Sequence, residues 1–449
     1  MPGSADTDPL GRRNEDLALK GKLNFFQKTM LRWRELHPYS AVHVVRIEQP
    51  LDQSRLRETI AHYLEHMGLT RLILDRDRLT YQFTNEPADV ELEMVTAGTH
   101  AMAAVCAEIA RQLNRPFPRD GMLNPFRFFT VDAGVGFHLG LAYDHFIAGG
   151  DSIAVLLRDV VGLYTERATS AVLPAPRALY PKTYRALFWR NAGYVLRGLN
   201  SLPSMIASCQ RSCRPPARAD TAGDTGFAYY RIDAEPLAAL THTAKAWGVT
   251  LNDAFLAALL KAVALMAPDR MHAVRRCEVA VASIMNVRAE FQPSAEETFG
   301  QFLASFRVSH LVPPSMSLRE LARAIHVETD RVKSRKLYLQ TLLALALSTV
   351  ELRFLSIERQ RRFYAKHYPI FAGVTTLNVN ALWKAAAPER RSSLDYIRAV
   401  PTGPLAPLVF AISTSGDVAN IGISFRTADV EGSTVDRVAG EFLGCIHNL

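Results

Sequence analysis

Between Val135 and Val160 the hydrophobic rhythm of the chain changes twice. Phe137, Leu139 and Leu141 alternate with His138, Gly140 and Ala142, the period of two that marks a strand. Asp144-His145-Phe146-Ile147-Ala148-Gly149-Gly150-Asp151 then interrupts the alternation with a glycine pair. From Ser152 onward Ile153, Leu156, Leu157 and Val160 recur at helical spacing, which predicts a helix opening at Ser152 and running to about Glu166. A strand that runs through a glycine turn into a helix leaves His145 at the strand's end, where the backbone is shaped for chemistry.

Read the same way, the chain before this stretch gives a helix over 23–36, a strand over 41–47 and a helix capped by Asp52 or Ser54 and reaching His66. Short strands over 71–74 and 79–83 flank Asp75-Arg76-Asp77, and a strand over 90–95, a helix over 101–113 and a strand over 126–131 complete the set. Periodicity weakens over 167–225, which is rich in proline and arginine and is read as a connection between domains. Within it, residues 184–206 are basic and aromatic. They fit either a crossover helix packed on the body or a helix lying on a membrane surface.

The second half restarts with a strand over 227–232 and helices over 235–247 and 250–266, the latter opened by a capping-box-like Thr250-Leu251-Asn252-Asp253. A strand over 279–284, helices over 317–336 and 338–355, strands over 372–379, 408–413 and 420–425, and a closing helix over 434–446 follow. Strands mixed with helices and hairpin-like neighbours imply an α/β fold with mixed sheets. The expected organisation is a disordered lead-in over 1–22, an N-terminal lobe over 23–166, the connection over 167–225 and a C-terminal lobe over 226–449.

Composition narrows the function classes. The chain has 449 residues, 48% of them hydrophobic and 21% charged, which excludes a disordered polar chain. Five cysteines, odd in number and widely spaced, read as reduced thiols of a cytoplasmic protein. Cys209 and Cys213 have no second Cys or His pair nearby, and His62 and His66 have no third ligand, so no metal site is expected. The N-terminus is polar, unlike a signal peptide. No uncharged apolar run is long enough to span a membrane, although the apolar basic segments 184–206 and 338–355 leave peripheral membrane contact open. The formal charge of +8 suits an anionic partner such as a phosphate-bearing carrier; with arginines dispersed and no basic run, nucleic acid is not expected.

The residues Asp144-His145-Phe146-Ile147-Ala148-Gly149-Gly150, followed by Leu156-Leu157-Arg158-Asp159-Val160-Val161-Gly162-Leu163-Tyr164, resemble the centre of the condensation-domain and HxxxD acyltransferase superfamily. That superfamily includes plant BAHD enzymes, wax ester/diacylglycerol synthases and polyketide-associated acyltransferases, and its mark is HHxxxDG at a strand-to-helix turn. Leu251 to Ala258, Val281 to Arg288 and Asn420 to Phe425 are similar to further family segments, in the family's order. The resemblance implies two chloramphenicol-acetyltransferase-like lobes with the active site at their interface. It implies that His145 deprotonates a hydroxyl or amine of a small-molecule acceptor, which then attacks an acyl thioester. No bound cofactor is implied; acyl-CoA or an acyl group on a phosphopantetheinyl carrier protein is the co-substrate, in lipid or secondary-metabolite biosynthesis. His145 and Asp151 are the expected catalytic residues, with Asp144, Gly149, Gly150, Ser152, Asn286 and Arg288 around the substrate.

The sequence departs from the motif twice. Asp144 stands at the first histidine. Gly149 stands at the motif aspartate, whose part Asp151 could take by pairing with Arg288. A binding-only member therefore remains an alternative. So does a second resemblance: Phe146 to Ile153 is similar to the GGDS site of carrier domains, in which Ser152 would carry phosphopantetheine. The alternating strand before it argues against a carrier, which is a small helical bundle.

Overall fold

A computed structural model describes residues 20–84, 86–97, 100–166, 178–179, 184–216, 223–291, 298–352, 354–383 and 395–449. Most of the lead-in, residues 1–19, lies outside this set, but residues 20–22 form a short strand, Lys20–Lys22, antiparallel to Thr80–Phe83. That strand joins Leu72–Asp75 and Gly121–Leu123 in a small four-stranded sheet.

Two larger mixed sheets carry the molecule. The first has the order Tyr396–Ala399, Ser40–Ile47, Phe137–Asp144, Phe126–Asp132, Glu91–Val95; all its pairings are antiparallel except the last. All eight residues of Phe137–Asp144 are buried, because both faces of this central strand are covered. Val42, Val44, Phe129, Val131 and Ala142 pack under the helix Ala101–Asn114. Ala41, Val45, Leu139, Leu141 and Tyr143 face the other way, into the large core that also holds Ile153, Leu156, Leu157 and Val160 of the helix Gly150–Thr165. The strand-to-helix reading of the sequence is thus met, with the helix starting two residues earlier than expected.

The second sheet runs Thr225–Ile232, Val418–Arg426, Leu408–Ser415, Ala372–Asn378, Val279–Asn286, Leu303–His310, with two parallel pairings in its middle. Against it lie the helix Leu251–Ala264, opened by a reciprocal Thr250–Asp253 capping box, and the closing helix Gly432–His447. Phe255 and Phe442 stack between these two helices with ring centroids 6.2 Å apart.

Elements outside the sequence reading include a further strand of the second sheet, a helix and a short strand of the first sheet. Leu303–His310 is an edge strand with Ala304, Phe306 and Val308 inward. Ile357–His367 buries only Gln360 and Tyr364, too few apolar positions for periodicity to register. Tyr396–Ala399 is four residues long and belongs to the first sheet although it comes from the second half, so residues 226–449 do not keep to one sheet. Its neighbour across the lobes is Gly422, where a Cβ would stand 1.9 Å from the Arg398 carbonyl oxygen; glycine permits that close approach.

Residues 184–206 form three short helices, Arg185–Arg190, Ala192–Leu199 and Leu202–Arg211, rather than one crossover helix. Leu187 is buried, while Trp189, Leu196 and Ile206 stand exposed. Among the described residues no single helix is long and apolar enough to cross a membrane.

Candidate active site at the lobe interface

The turn after Phe137–Asp144 is held from both ends. At its start the Asp144 carboxylate, 1% exposed, pairs with Arg34 of the helix Phe25–Leu36 and also accepts a bond from the Phe146 backbone N–H at 3.4 Å. Burial pushes the Asp144 carboxyl up from its usual range against the opposing pull of Arg34. Asp144 was expected beside the substrate; the structure instead closes it into a buried ion pair within the first lobe.

At the other end, Asp151 reaches into the second lobe. Its Oδ2 accepts from Arg288 Nε at 2.7 Å and from Asn286 Nδ2 at 2.9 Å. Arg288 also donates to Ser152 Oγ at 2.7 Å and to the Thr298 carbonyl, and its guanidinium lies 4.3 Å over the Phe302 ring. Ser152 Oγ donates to the Gly300 carbonyl at 3.0 Å, and the Gly149 N–H donates to the same oxygen at 3.0 Å. Asp151, Ser152, Gly149, Asn286 and Arg288 together form a clamp between the lobes.

The clamp also fills the space beside Gly149. A Cβ on Gly149 would stand 3.0 Å from Asp151 Oδ1. The Asp151 carboxylate therefore lies in space that a side chain at Gly149 would need. Asp151 pairs with Arg288 of the second lobe. Ser152 is 4% exposed with its hydroxyl engaged, which removes the carrier reading: a phosphopantetheine arm must be attached at an accessible serine.

His145 sits between these anchors. Its backbone N–H donates to the Tyr39 carbonyl at 3.2 Å, and its ring leans on Tyr39 and Tyr143 at centroid distances of 5.6 and 5.9 Å. Desolvation lowers its pKa to about 4, opposed by the Ala148 backbone and assisted by the Arg398 cation. Even so, Nδ1 is buried and reaches no partner of full hydrogen-bond geometry among the described residues. The ring is neutral at pH 7.

Beneath the glycine pair lies a polar cluster that the sequence reading did not single out. His43 and Arg398 are cross-strand partners on the face toward Gly150. His43 Nδ1 bonds the Tyr396 hydroxyl at 2.7 Å, and its Nε2 lies 3.4 Å from the Tyr143 hydroxyl. Burial, then Arg398, holds His43 well below the usual histidine range. Arg398 is 2% exposed and donates from Nε to Ser413 Oγ at 2.9 Å and from Nη2 to the Thr375 and Ile412 carbonyls at 3.0 Å. The one available signal was local: an arginine and a histidine inside short, otherwise apolar strands. Among the described residues no group of three or more His, Cys, Asp or Glu could hold a metal ion.

Comparison with known proteins agrees with this architecture. The family model described as Condensation domain matches residues 22–343. No curated protein sequence matches the chain. Among solved structures, the condensation domain from the monacolin K polyketide synthase MokA is similar at a TM-score of 0.64, with 11% identity, 96% of this chain and 97% of that chain covered. The epimerization domain from the third module of tyrocidine synthetase B matches at 0.63, with 16% identity and 96% and 98% covered. The X-domain from teicoplanin biosynthesis matches at 0.59, with 18% identity and 100% and 97% covered.

Proposed function

The chain belongs to the condensation-domain family, whose members join acyl or peptidyl groups presented as carrier-bound thioesters, and from that premise we propose that it transfers an acyl group from a phosphopantetheinyl thioester to an amine or hydroxyl. The observation that carries the proposal is His145: an unprotonated imidazole at the motif turn, held between the lobes by the Asp144–Arg34 and Asp151–Arg288 pairs.

In this reading the acceptor's nitrogen or oxygen adds to the thioester carbonyl while His145 takes its proton. The tetrahedral intermediate then collapses, the C–S bond breaks, and the proton passes to the departing sulfur to give a free thiol and an amide or ester. No covalent acyl-enzyme is needed. The net charge of +8 suits the phosphate that both coenzyme A and a carrier arm bring.

A second reading is a binding-only member. It is favoured by the same ring: burial makes His145 a weak base, and the charged group acting on it is the Arg398 cation, which opposes imidazolium formation. Thiol release from acyl-pantetheine, acyl-CoA and acyl-carrier donors with a panel of amines and alcohols separates the two. Release that falls by at least about 100-fold in His145→Ala, with unchanged melting, supports transfer at this site. Undiminished release in that variant removes His145 as the base, and no release with any donor leaves the binding reading.

A further inference from the structure

Arg398 has an unused hand. Nε and Nη2 are satisfied by Ser413, Thr375 and Ile412, whereas Nη1 makes no hydrogen bond among the described residues. Among the described residues the carboxylate acting on the guanidinium is Asp151, and Asp151 is committed to Arg288. Nη1 points at the motif turn: a Cβ on Gly150 would lie 3.0 Å from it. Gly150 opens the helix Gly150–Thr165, whose first turn offers N–H groups with no intrahelical partner, and the N-cap Gly149 supplies no side chain to meet them. Against the same turn rests Gln301, 1% exposed, with neither amide atom partnered among the described residues. Its Cγ comes within 3.7 Å of where a Gly149 Cβ would be.

A buried guanidinium with a free N–H, a helix N-terminus and an unpaired amide all lie against the glycine pair of the motif turn, and the carboxylate in that turn, Asp151, is turned to Arg288. Leaving a buried cation unpaired is costly, so such a group is retained where a ligand completes it. We propose that Arg398 and the first turn of Gly150–Thr165 form a subsite for a carboxylate of one of the two substrates, so that this chain handles an acid-bearing acceptor or acyl group. Arginine suits this task, since its planar fork holds a carboxylate through directed N–H bonds. A Cβ at Gly150 would crowd the guanidinium, so the glycine at this position keeps Nη1 open toward the turn.

The inference rests on the transfer reading, and its test separates the two. Free α-amino acids and their carboxamides are offered as acceptors to an acyl-pantetheine donor, and a succinyl donor is compared with a butanoyl donor on one amine; thiol release is followed. The expected result is a preference of at least about tenfold in kcat/KM for the carboxylate in one arm, which names its source. In Arg398→Gln that preference should fall below about threefold, with Arg398→Lys intermediate. Equal rates with and without the carboxylate in both arms would overturn the subsite while leaving transfer intact. So would a loss in Arg398→Gln that is the same for every substrate, since that points to the fold or to the reaction's oxyanion. If the wild type releases no thiol, guanidinium NMR of the wild-type protein decides: a shift of the Arg398 signal by an amino acid or succinate and not by the amides supports the subsite, and no shift overturns it.

Discussion

Asp144 and Asp151 bracket one turn and each pairs with an arginine, yet they serve different ends. The Asp144–Arg34 pair is 1% and 9% exposed and ties the turn to a helix of its own lobe. The Asp151–Arg288 pair is 12% and 11% exposed and reaches the other lobe. The first is closed off from water and holds the strand end; the second is a little more exposed and joins the two lobes. An ion pair's worth depends on how much water its partners gave up and on what the pair joins, not on its geometry alone.

The largest effect should come from breaking the buried pair. Asp144→Ala leaves Arg34 buried without a counter-charge and should cost about 3–5 kcal/mol, read as a fall in the denaturation midpoint with little change in slope. A loss below about 1 kcal/mol would mean that Arg34 escapes to water and that the two pairs are equivalent.

Acid should sharpen the comparison next, because the inner end of the turn is lined by depressed histidines. His145 is held at about 4 in the fold against about 6.5 unfolded. A group whose folded pKa is depressed contributes stability that is present above the unfolded pKa and is lost as pH falls toward the folded one. Stability should therefore decline between about pH 6.5 and 4, by roughly 3 kcal/mol from His145 alone. His145→Gln should flatten that decline; an unchanged pH profile would show that the ring titrates normally.

Breaking the outer pair should cost less stability and more activity. Asp151→Ala should destabilise by about 2 kcal/mol and depress transfer through loss of loop position. Gly149→Asp alone should also be harmful, since its Cβ meets the Asp151 carboxylate. The two together should partly restore activity, because Gly149 has ordinary extended backbone (φ −85°, ψ 165°) and an aspartate there also caps the helix. Additive losses in the double variant would refute the view that Asp151 fills the motif's vacant place. The smallest effect is expected from Asn286→Ala. Asn286 is exposed and its bond to Asp151 duplicates that of Arg288, so a change below about 1 kcal/mol in melting is expected.

The strand, the glycine turn and the helix were legible because each is a local pattern. Alternation follows from the pleat, helical spacing follows from the turn of the backbone, and Thr250 and Asp253 cap a helix within four residues of each other. His145 was legible for the same reason, by its place in a contiguous motif, and so was the possibility that Asp151 pairs with Arg288. The chemistry around the motif was not. Asp144 looked like a substrate contact because nothing local names Arg34, 110 positions earlier, as its partner. Ser152 sits in a local motif similar to a carrier site, a reading the strand before it already opposed, and nothing local shows that Gly300, 148 positions away, accepts its hydroxyl.

The sequence by itself determined most of the longer elements, the α/β class and the histidine at the turn, because burial periodicity and capping act over a few residues. Only the tertiary structure decided which charges meet. The Tyr396–Ala399 strand crosses into a sheet built some 350 positions earlier and sets Arg398 opposite His43 beneath the turn. Electrostatic partners depend on distance in space and on lost solvent, and neither quantity is encoded in any stretch of sequence short enough to carry a pattern.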